Sequence, residues 1–339
     1  MPTIQDVAAR AGVSVATVSR FLSGQTVRSA DAVREAVDAL GYRPDVAAQA
    51  MRTGRHSAVG VIVPDIGNPF FAAIVKGLAQ GIPDGGLHML LASSEESAQL
   101  EARLLADLDS RVDGYVLAPV NEQDRLPLEL VRRGVPVVLL DREVDGGEDC
   151  DVVLVDNAGG AASAARHLLD LGHRRIGVIS GPANTTPGRE RREGFLSVLA
   201  EHDVVVEPGL DLVGDFLEES GRRLTEQLLA LPERPTAIFT ANNQMTVGAL
   251  RALQAASVPV PDEISLIGFD DLTLGGLLQP PLTCVVRDEV RQGRTVMELL
   301  VERLGHARLA ETPQVPPRRV VLETTLLVRG STATPRQEA

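Results

Sequence analysis

Residues 3–22, TIQDVAARAGVSVATVSRFL, read as two short helices folded against each other. Thr3 stands where a helix N-cap is needed and Asp6 completes a capping pair, while Ile4, Val7, Ala8 and Ala11 recur on one face at helical spacing. Gly12 and Val13 break that helix. Ser14 then caps a second one, whose Val18 and Leu22 turn inward four residues apart. Ala8, small at the crossing, and Gly12 in the turn make the pair a helix-turn-helix. A third amphipathic helix, with Val33, Val37 and Leu40 on one face and Gly41 as its stop, closes a small core.

The second helix exposes Ser14, Val15, Ala16, Thr17, Ser19 and Arg20 at or near its N-terminal end, the end that a recognition helix presents to the major groove. Small hydroxyls reach phosphate, and a guanidinium pairs with guanine or phosphate. An ordinary helical pair with a solvated polar face fits the same pattern. Charge permits the first reading without deciding it: residues 1–57 hold seven Arg against five Asp and Glu, whereas the whole chain carries −13. A cationic head on an acidic body suits selective DNA binding better than uniform coating of nucleic acid.

The 339 residues, 44% hydrophobic and 23% charged, predict two or three packed domains. No apolar stretch approaches the ~20 residues of a membrane span, and the opening MPTIQDVAARAGVS lacks a secretory signal, so a cytoplasmic protein without membrane contact is expected. Cys150 and Cys284 stand far apart, outside any CxxC or Cys/His cluster, and read as two buried thiols. No disulfide, metal or cofactor is expected. GxxxxGK[ST], HExxH, GxSxG and a strand-following GxGxxG are all missing, so catalysis is not expected either.

From Ala58 onward, apolar runs alternate with helical stretches: VGVIV, HMLLA, GYVLA, PVVLL and DVVLV, then RIGVIS, LDLVG, AIFTA and ISLIGF. Continuous apolar strands separated by helices predict parallel sheets covered on both faces, here two doubly wound α/β lobes. Ligands on such sheets gather beyond the carboxyl ends of the strands. The residues there are Asp65 with Phe70 and Phe71, Asp141 with Arg142, Thr185 and Arg191, Phe216, Asn242 with Asn243, and Asp270. Aromatic faces beside carboxylates and amides suit a polyol or a nucleobase, although Asp and Asn at loop ends also cap helices.

The order TIQDVAARAGVSVATVSRFLSG, GYRPDVAAQAMRTGR and VGVIVPDIGNPFF resembles the lactose-repressor/galactose-repressor family of bacterial transcription regulators, over nearly the full chain. The resemblance implies that Val15, Ala16 and Arg20 read bases, with Thr17 and Ser19 near phosphates; Thr3 and Ser14 are expected among the DNA-binding residues as well. Residues 45–52 would be a hinge helix, with Ala48 and an apolar wedge at Met51 where the family usually has Leu. Asp45 replaces a common Asn, and the loop FLSGQT is shorter than the family's, with Arg28 in a place to take over its phosphate contacts.

For the body the resemblance implies a periplasmic-binding-protein-like pair of lobes. Phe70, Phe71, Arg191, Phe216, Asn242 and Asp270 would line an effector cleft, with Asp141 deeper. Arg287 stands where the family often has Gln. Together with Arg191 it hints at an anionic sugar, and a pairing with Asp288 or Glu289 is the alternative. The expected layout is a helix-turn-helix head at 1–44, a hinge at 45–57 and a body at 58–330. Its N-lobe would take 58–155 and 287–319 and its C-lobe 156–286 and 320–330, with crossovers near Val155, near Val285 to Arg287, and near Arg319 to Leu322. Residues 331–339, lacking a leucine heptad, are expected as a disordered tail. The implied function is a homodimeric, sequence-specific regulator, a repressor, that binds double-stranded operator DNA and answers to a small sugar-like effector. A sugar-binding protein of a transport system, without DNA binding, is the competing reading.

Overall fold

The computed structural model describes residues 2–22, 25–43, 56–83, 87–307 and 316–336. Two compact units emerge, Met1–Ser57 and Ala58–Ala339. In the first, helices α1 (Ile4–Ala11), α2 (Val15–Leu22) and α3 (Ala30–Leu40) enclose Val7, Ala8, Val18, Val33 and Ala36. The start of α1 is fixed from both sides: the Thr3 hydroxyl accepts from the Asp6 N–H, and the Asp6 carboxylate accepts from the Thr3 N–H at 2.8 Å. Gly12, at φ +64°, turns the chain into α2 in a left-handed conformation that a side chain would oppose. The expected hinge, with Ala48 and Met51, lies outside the described residues.

The second unit holds two six-stranded sheets. The first contains β1 (Ala58–Val63), β2 (His88–Ser93), β3 (Tyr115–Leu117), β4 (Val137–Leu140), β5 (Asp151–Val155) and, late in the chain, β11 (Arg319–Leu322), in the order β11-β5-β4-β3-β1-β2. The second contains β6 (Ile176–Ser180), β7 (Asp211–Val213), β8 (Ala237–Thr240), β9 (Ser265–Phe269), β10 (Thr283–Val286) and β12 (Thr325–Leu327), in the order β12-β10-β9-β8-β6-β7. All pairings are parallel except β12 with β10. β12 follows β11 after only residues 323–324, so the chain passes directly from the first sheet to the edge of the second.

Helices α4 (Pro69–Gly81), α5 (Ala98–Leu108), α6 (Leu126–Arg132) and α11 (Glu289–Ala307) pack on the first sheet. Helices α7 (Asn157–Asp170), α8 (Thr186–Glu201), α9 (Glu218–Leu229) and α10 (Asn243–Ala255) pack on the second. Strands buried on both faces explain the unbroken apolar runs.

Two boundaries differ from expectation. The third crossing falls at residues 323–324, because Val320 to Leu322 complete a full ladder with β5 in the first sheet. The tail is also ordered as far as Arg336. Ser331 is buried, donating to the Leu266 carbonyl at 2.6 Å and accepting from the Thr283 N–H at 2.8 Å, while the Ala333 N–H donates to Ser265 Oγ. Composition reads STATPRQEA as solvated, but the Ser331 hydroxyl satisfies backbone groups of the second sheet.

Helices α4 and α11 cross at paired glycines. A Cβ on Gly77 would stand 2.1 Å from the Val290 carbonyl oxygen, and one on Gly293 would stand 2.1 Å from that of Ile74. Backbone on backbone leaves no flexible neighbour to yield. Gly293→Ala should therefore lower stability by about 1–3 kcal/mol in denaturant unfolding, the usual range for overpacking. A midpoint equal to that of the unaltered chain would refute this close crossing.

Candidate functional site

In the head, Ser14 acts as cap, its Oγ accepting from the Thr17 N–H at 3.2 Å and pairing with Thr17 Oγ1 at 2.9 Å. That geometry fixes the first turn of α2 and leaves Val15, Ala16 and Arg20 exposed beside Ser14, with Thr17 and Ser19 half-buried. Val15, 40% exposed, is the one exposed large apolar side chain among the described residues of the head. Arg28 is exposed just ahead of α3. Thr3 is exposed as well, but its hydroxyl is engaged with Asp6.

In the body, one cleft is lined from both lobes. Nine of the ten residues expected there line it: Asp65, Phe70, Phe71, Asp141, Arg191, Phe216, Asn242, Asp270 and Arg287. Thr185 is set apart. It caps α8, donating to the Pro182 carbonyl and accepting from the Gly188 N–H. Asn242 lines the cleft and also caps α10, its carbonyl accepting from the Met245 N–H and its amide donating to the Phe216 carbonyl. For Thr185 and Asn242 the capping alternative therefore holds.

The centre of the cleft is an ionic network. Arg287, immobilised at the second crossover, donates to Asp270 through Nε at 2.7 Å and Nη2 at 3.0 Å, and to Asp141 through Nη1 at 2.5 Å. Its guanidinium lies 3.9 Å from the centroid of Phe70. Neither Asp288 nor Glu289 is its partner. Arg191 donates to Asn157 at 2.8 Å and to the Ala241 carbonyl at 2.7 Å, reaches Asp270 at 3.4 Å, and covers the Phe269 ring at 3.7 Å. Its Nη2 is buried with no hydrogen-bond partner. Asp141 and Asp270 end β4 and β9 with φ of +64° and +68°, and Phe216 has φ +69°, so three non-glycine residues in a left-handed conformation meet at one cavity. Such strain persists where the surroundings enforce it, and it gathers at binding sites.

Burial raises the Asp141 pKa, but Arg287, Arg191 and Arg142 more than offset it and hold it below the ordinary carboxylate range. Burial, reinforced by Arg287, pushes Arg191 down to about 10 against the pull of Asp270 and Asp141. Both remain charged at neutral pH.

Asn68, Glu96, Arg142 and Asn243 also line the cleft. Arg142 is buried, forks onto Glu96 at 2.9 and 2.7 Å, and stands 5.8 Å from the Phe216 centroid. Asn68 and Asn243 exchange two amide hydrogen bonds from opposite lobes, at 2.8 and 3.3 Å. The sequence signals for them were the strand-end position of Glu96 and Arg142 and the Asn-Pro start of α4 at Asn68. Nearby, Glu122 of the first lobe accepts from Thr186 and Arg189 of the second. Among the described residues, no group of three or more His, Cys, Asp or Glu is placed to hold a metal ion, and no helix is long and apolar enough to cross a membrane.

Residues 3–45 match the profile described as bacterial regulatory proteins, lacI family, and residues 165–332 match that of a periplasmic binding protein-like domain. The chain is 35% identical to the HTH-type transcriptional regulator CelR of Thermobifida fusca, covering 97% of this chain and 98% of that protein. A solved complex of transcriptional regulator CelR with cellobiose is 34% identical, with TM-score 0.73 and coverage of 98% and 100%. The lac repressor dimer bound to operator and the anti-inducer ONPF is 26% identical, with TM-score 0.82 and coverage of 98% and 99%.

Behind the cleft lies Glu101 of α5, fully buried, with Oε2 accepting from the Val120 N–H at 3.0 Å and Oε1 unpartnered. Burial pushes its pKa up to about 7; Asp124 and Glu96 add to the shift, while the Val120 N–H and Arg142 oppose it. Unfolded, the carboxyl ionises near 4.5, so the folded chain binds the extra proton and stability falls as pH rises from there through about 7. Glu101→Gln should stabilise the protein by up to about 3 kcal/mol above neutrality, with the gain vanishing in acid. Urea unfolding across pH tests this, and an unchanged pH slope in the variant would exclude it.

Proposed function

Because the chain belongs to the lacI family of bacterial regulatory proteins, we propose that it is a cytoplasmic transcriptional repressor whose hold on a DNA operator is set by a small carbohydrate bound between the lobes of its body. The observation that carries this reading is one cleft, lined from both lobes with aromatic rings, carboxylates and guanidiniums, in the same chain as a helix-turn-helix head. The proposed division is a head at 1–44, a hinge at 45–57 and a two-lobed body from 58.

Val15, Ala16 and Arg20 are the groups for base edges, and Ser14, Thr17, Ser19 and Arg28 those for phosphate. A single head of three short helices buries little DNA surface, so two are needed on a pseudopalindrome. The dimeric state of the lac repressor on its operator supports a homodimer here. In the cleft, Phe71 and Phe216 offer faces for a sugar ring, and Arg191 with Asp270 offers donors and acceptors for its hydroxyls. The cellobiose complex of CelR supports a carbohydrate in this place. A ligand that prefers one lobe arrangement must shift operator affinity, and the operator must shift ligand affinity by the same factor. No catalytic role is assigned to any residue.

Two measurements test the proposal. Removing residues 1–57 is expected to abolish operator binding, with its steep salt dependence, while the body stays folded and keeps its ligand. Operator binding by the truncated chain would overturn the assignment of the head. Arg191→Ala and Asp270→Ala should each cost about 2–5 kcal/mol of effector affinity by calorimetry, because the opposing groups stay desolvated. Unchanged affinity in both variants would remove the effector from the cleft.

A further inference from the structure

The side chain at the centre of the cleft is Arg287, and its bonds are already spent within the protein. Three of its nitrogens donate to aspartates, two to Asp270 at the end of β9 and one to Asp141 at the end of β4, and Phe70 covers its face. We propose that Arg287 is the specificity determinant of the cleft: by neutralising one aspartate from each lobe it makes the site accept uncharged, hydroxyl-rich carbohydrate and refuse sugar phosphates and sugar acids. This deepens the reading of the cleft as the effector site and rests on it.

The charges support the assignment. Asp65, Glu96, Asp141 and Asp270 face Arg142, Arg191 and Arg287, so the wall holds four carboxylates against three guanidiniums. Each guanidinium is tied to a carboxylate: Arg142 to Glu96, Arg191 and Arg287 to Asp270, and Arg287 also to Asp141. An incoming anion therefore meets no uncompensated cation and one carboxylate, Asp65, that no ion pair neutralises among the described residues. A hydroxyl fits better. It accepts from the unpartnered Nη2 of Arg191 while donating to a carboxylate, which satisfies both groups with no change of charge.

Without Arg287 the same floor changes sign. Asp141 and Asp270 would then be two buried carboxylates with only Arg191 near both, a site for a cation. This reverses the anionic preference that two arginines at these positions suggest from the sequence, because the second arginine is consumed by the aspartates that it joins.

Calorimetry on the full-length protein provides the test, with cellobiose, glucose and ribose each paired with its anionic counterpart: cellobionate, glucose 6-phosphate and ribose 5-phosphate. Glucosamine, protonated in mild acid, is the cationic probe. The unaltered protein should bind at least one neutral sugar about a hundredfold more tightly than its anionic counterpart. Arg287→Gln should lose about tenfold or more for that neutral sugar and gain about tenfold for glucosamine relative to glucose.

Arg287→Lys, which keeps the charge without the fork, should bind more weakly yet retain the charge preference. Should the Gln variant fail to fold, the double variant Arg287→Gln/Asp141→Asn, which removes one charge of each sign, should restore folding and the preference for neutral sugar. A purely structural role would lower all affinities together and leave the ratios fixed, and that result overturns the proposal. Equal binding of a neutral sugar and its anionic counterpart by the unaltered protein also overturns it, while leaving the effector reading intact. If none of the probes binds, the carbohydrate reading falls, and this proposal with it.

Discussion

The fork of Arg287 onto Asp270, extended to Asp141, is the interaction on which the rest of the body is arranged. It joins three pieces of chain that are remote in sequence: the second crossover, the end of β9 and the end of β4. All three side chains are buried, and removing one partner of such a group typically costs about 3–5 kcal/mol because the remaining charge is left unpaired out of water. That cost explains why both aspartates are held at positive φ. Each strand must end with its carboxylate turned towards the crossover, and a left-handed residue makes that turn at once. Phe70 under the guanidinium adds attraction and excludes the water that would weaken the pairing.

Much of this was legible in the sequence, for identifiable reasons. The apolar runs of the inner strands, such as β1, β6 and β9, are continuous because their sheets are covered on both sides, and the strand-end rule then pointed to Asp141, Arg191, Phe216 and Asp270 without reference to a structure. What composition could not reveal was partnership. Arg287 has acidic neighbours at 288 and 289, so local pairing was a natural expectation, yet its partners lie 17 and 146 residues away. Thr185 satisfied the strand-end rule equally well but spends its hydroxyl on the start of α8. The ordered tail escaped notice for a similar reason: Ser331 and Thr332 look solvent-seeking until the backbone of β9 and β10 pairs with Ser331 and the side chains of Thr283 and His167 pair with Thr332.

The head and the body obtain order from different sources. The head is small, and the five buried side chains among its described residues are supplemented by local devices: the Thr3 and Asp6 capping box, the Ser14 cap and left-handed glycines at 12 and 41. Each is worth about 1 kcal/mol and each is encoded within a few residues, which is why the helix boundaries could be read directly. The body instead relies on large apolar clusters drawn from distant strands, where register is set by which residues face the core.

Apart from the fork, other hydrogen bonds between the lobes are of a different kind, including the Glu143 N–H to Thr186 Oγ1 at 2.9 Å and the Glu122 N–H to the Asn184 carbonyl at 3.3 Å. Asn68 with Asn243 is an exchange between neutral amides, and Glu122 with Thr186 and Arg189 involves a guanidinium still partly open to solvent. Neutral amide bonds contribute about 1 kcal/mol net, and partly exposed ion pairs contribute little more. In the proposed mechanism, contacts of this size are the ones that change when the lobes rearrange. A ligand contributing about 1–3 kcal/mol of preference for one arrangement is then sufficient to shift them. The buried fork has the opposite property, being too costly to break during such a shift. For the proposed response to a ligand, this division places the costly pairing at the second crossover and the less costly contacts elsewhere between the lobes.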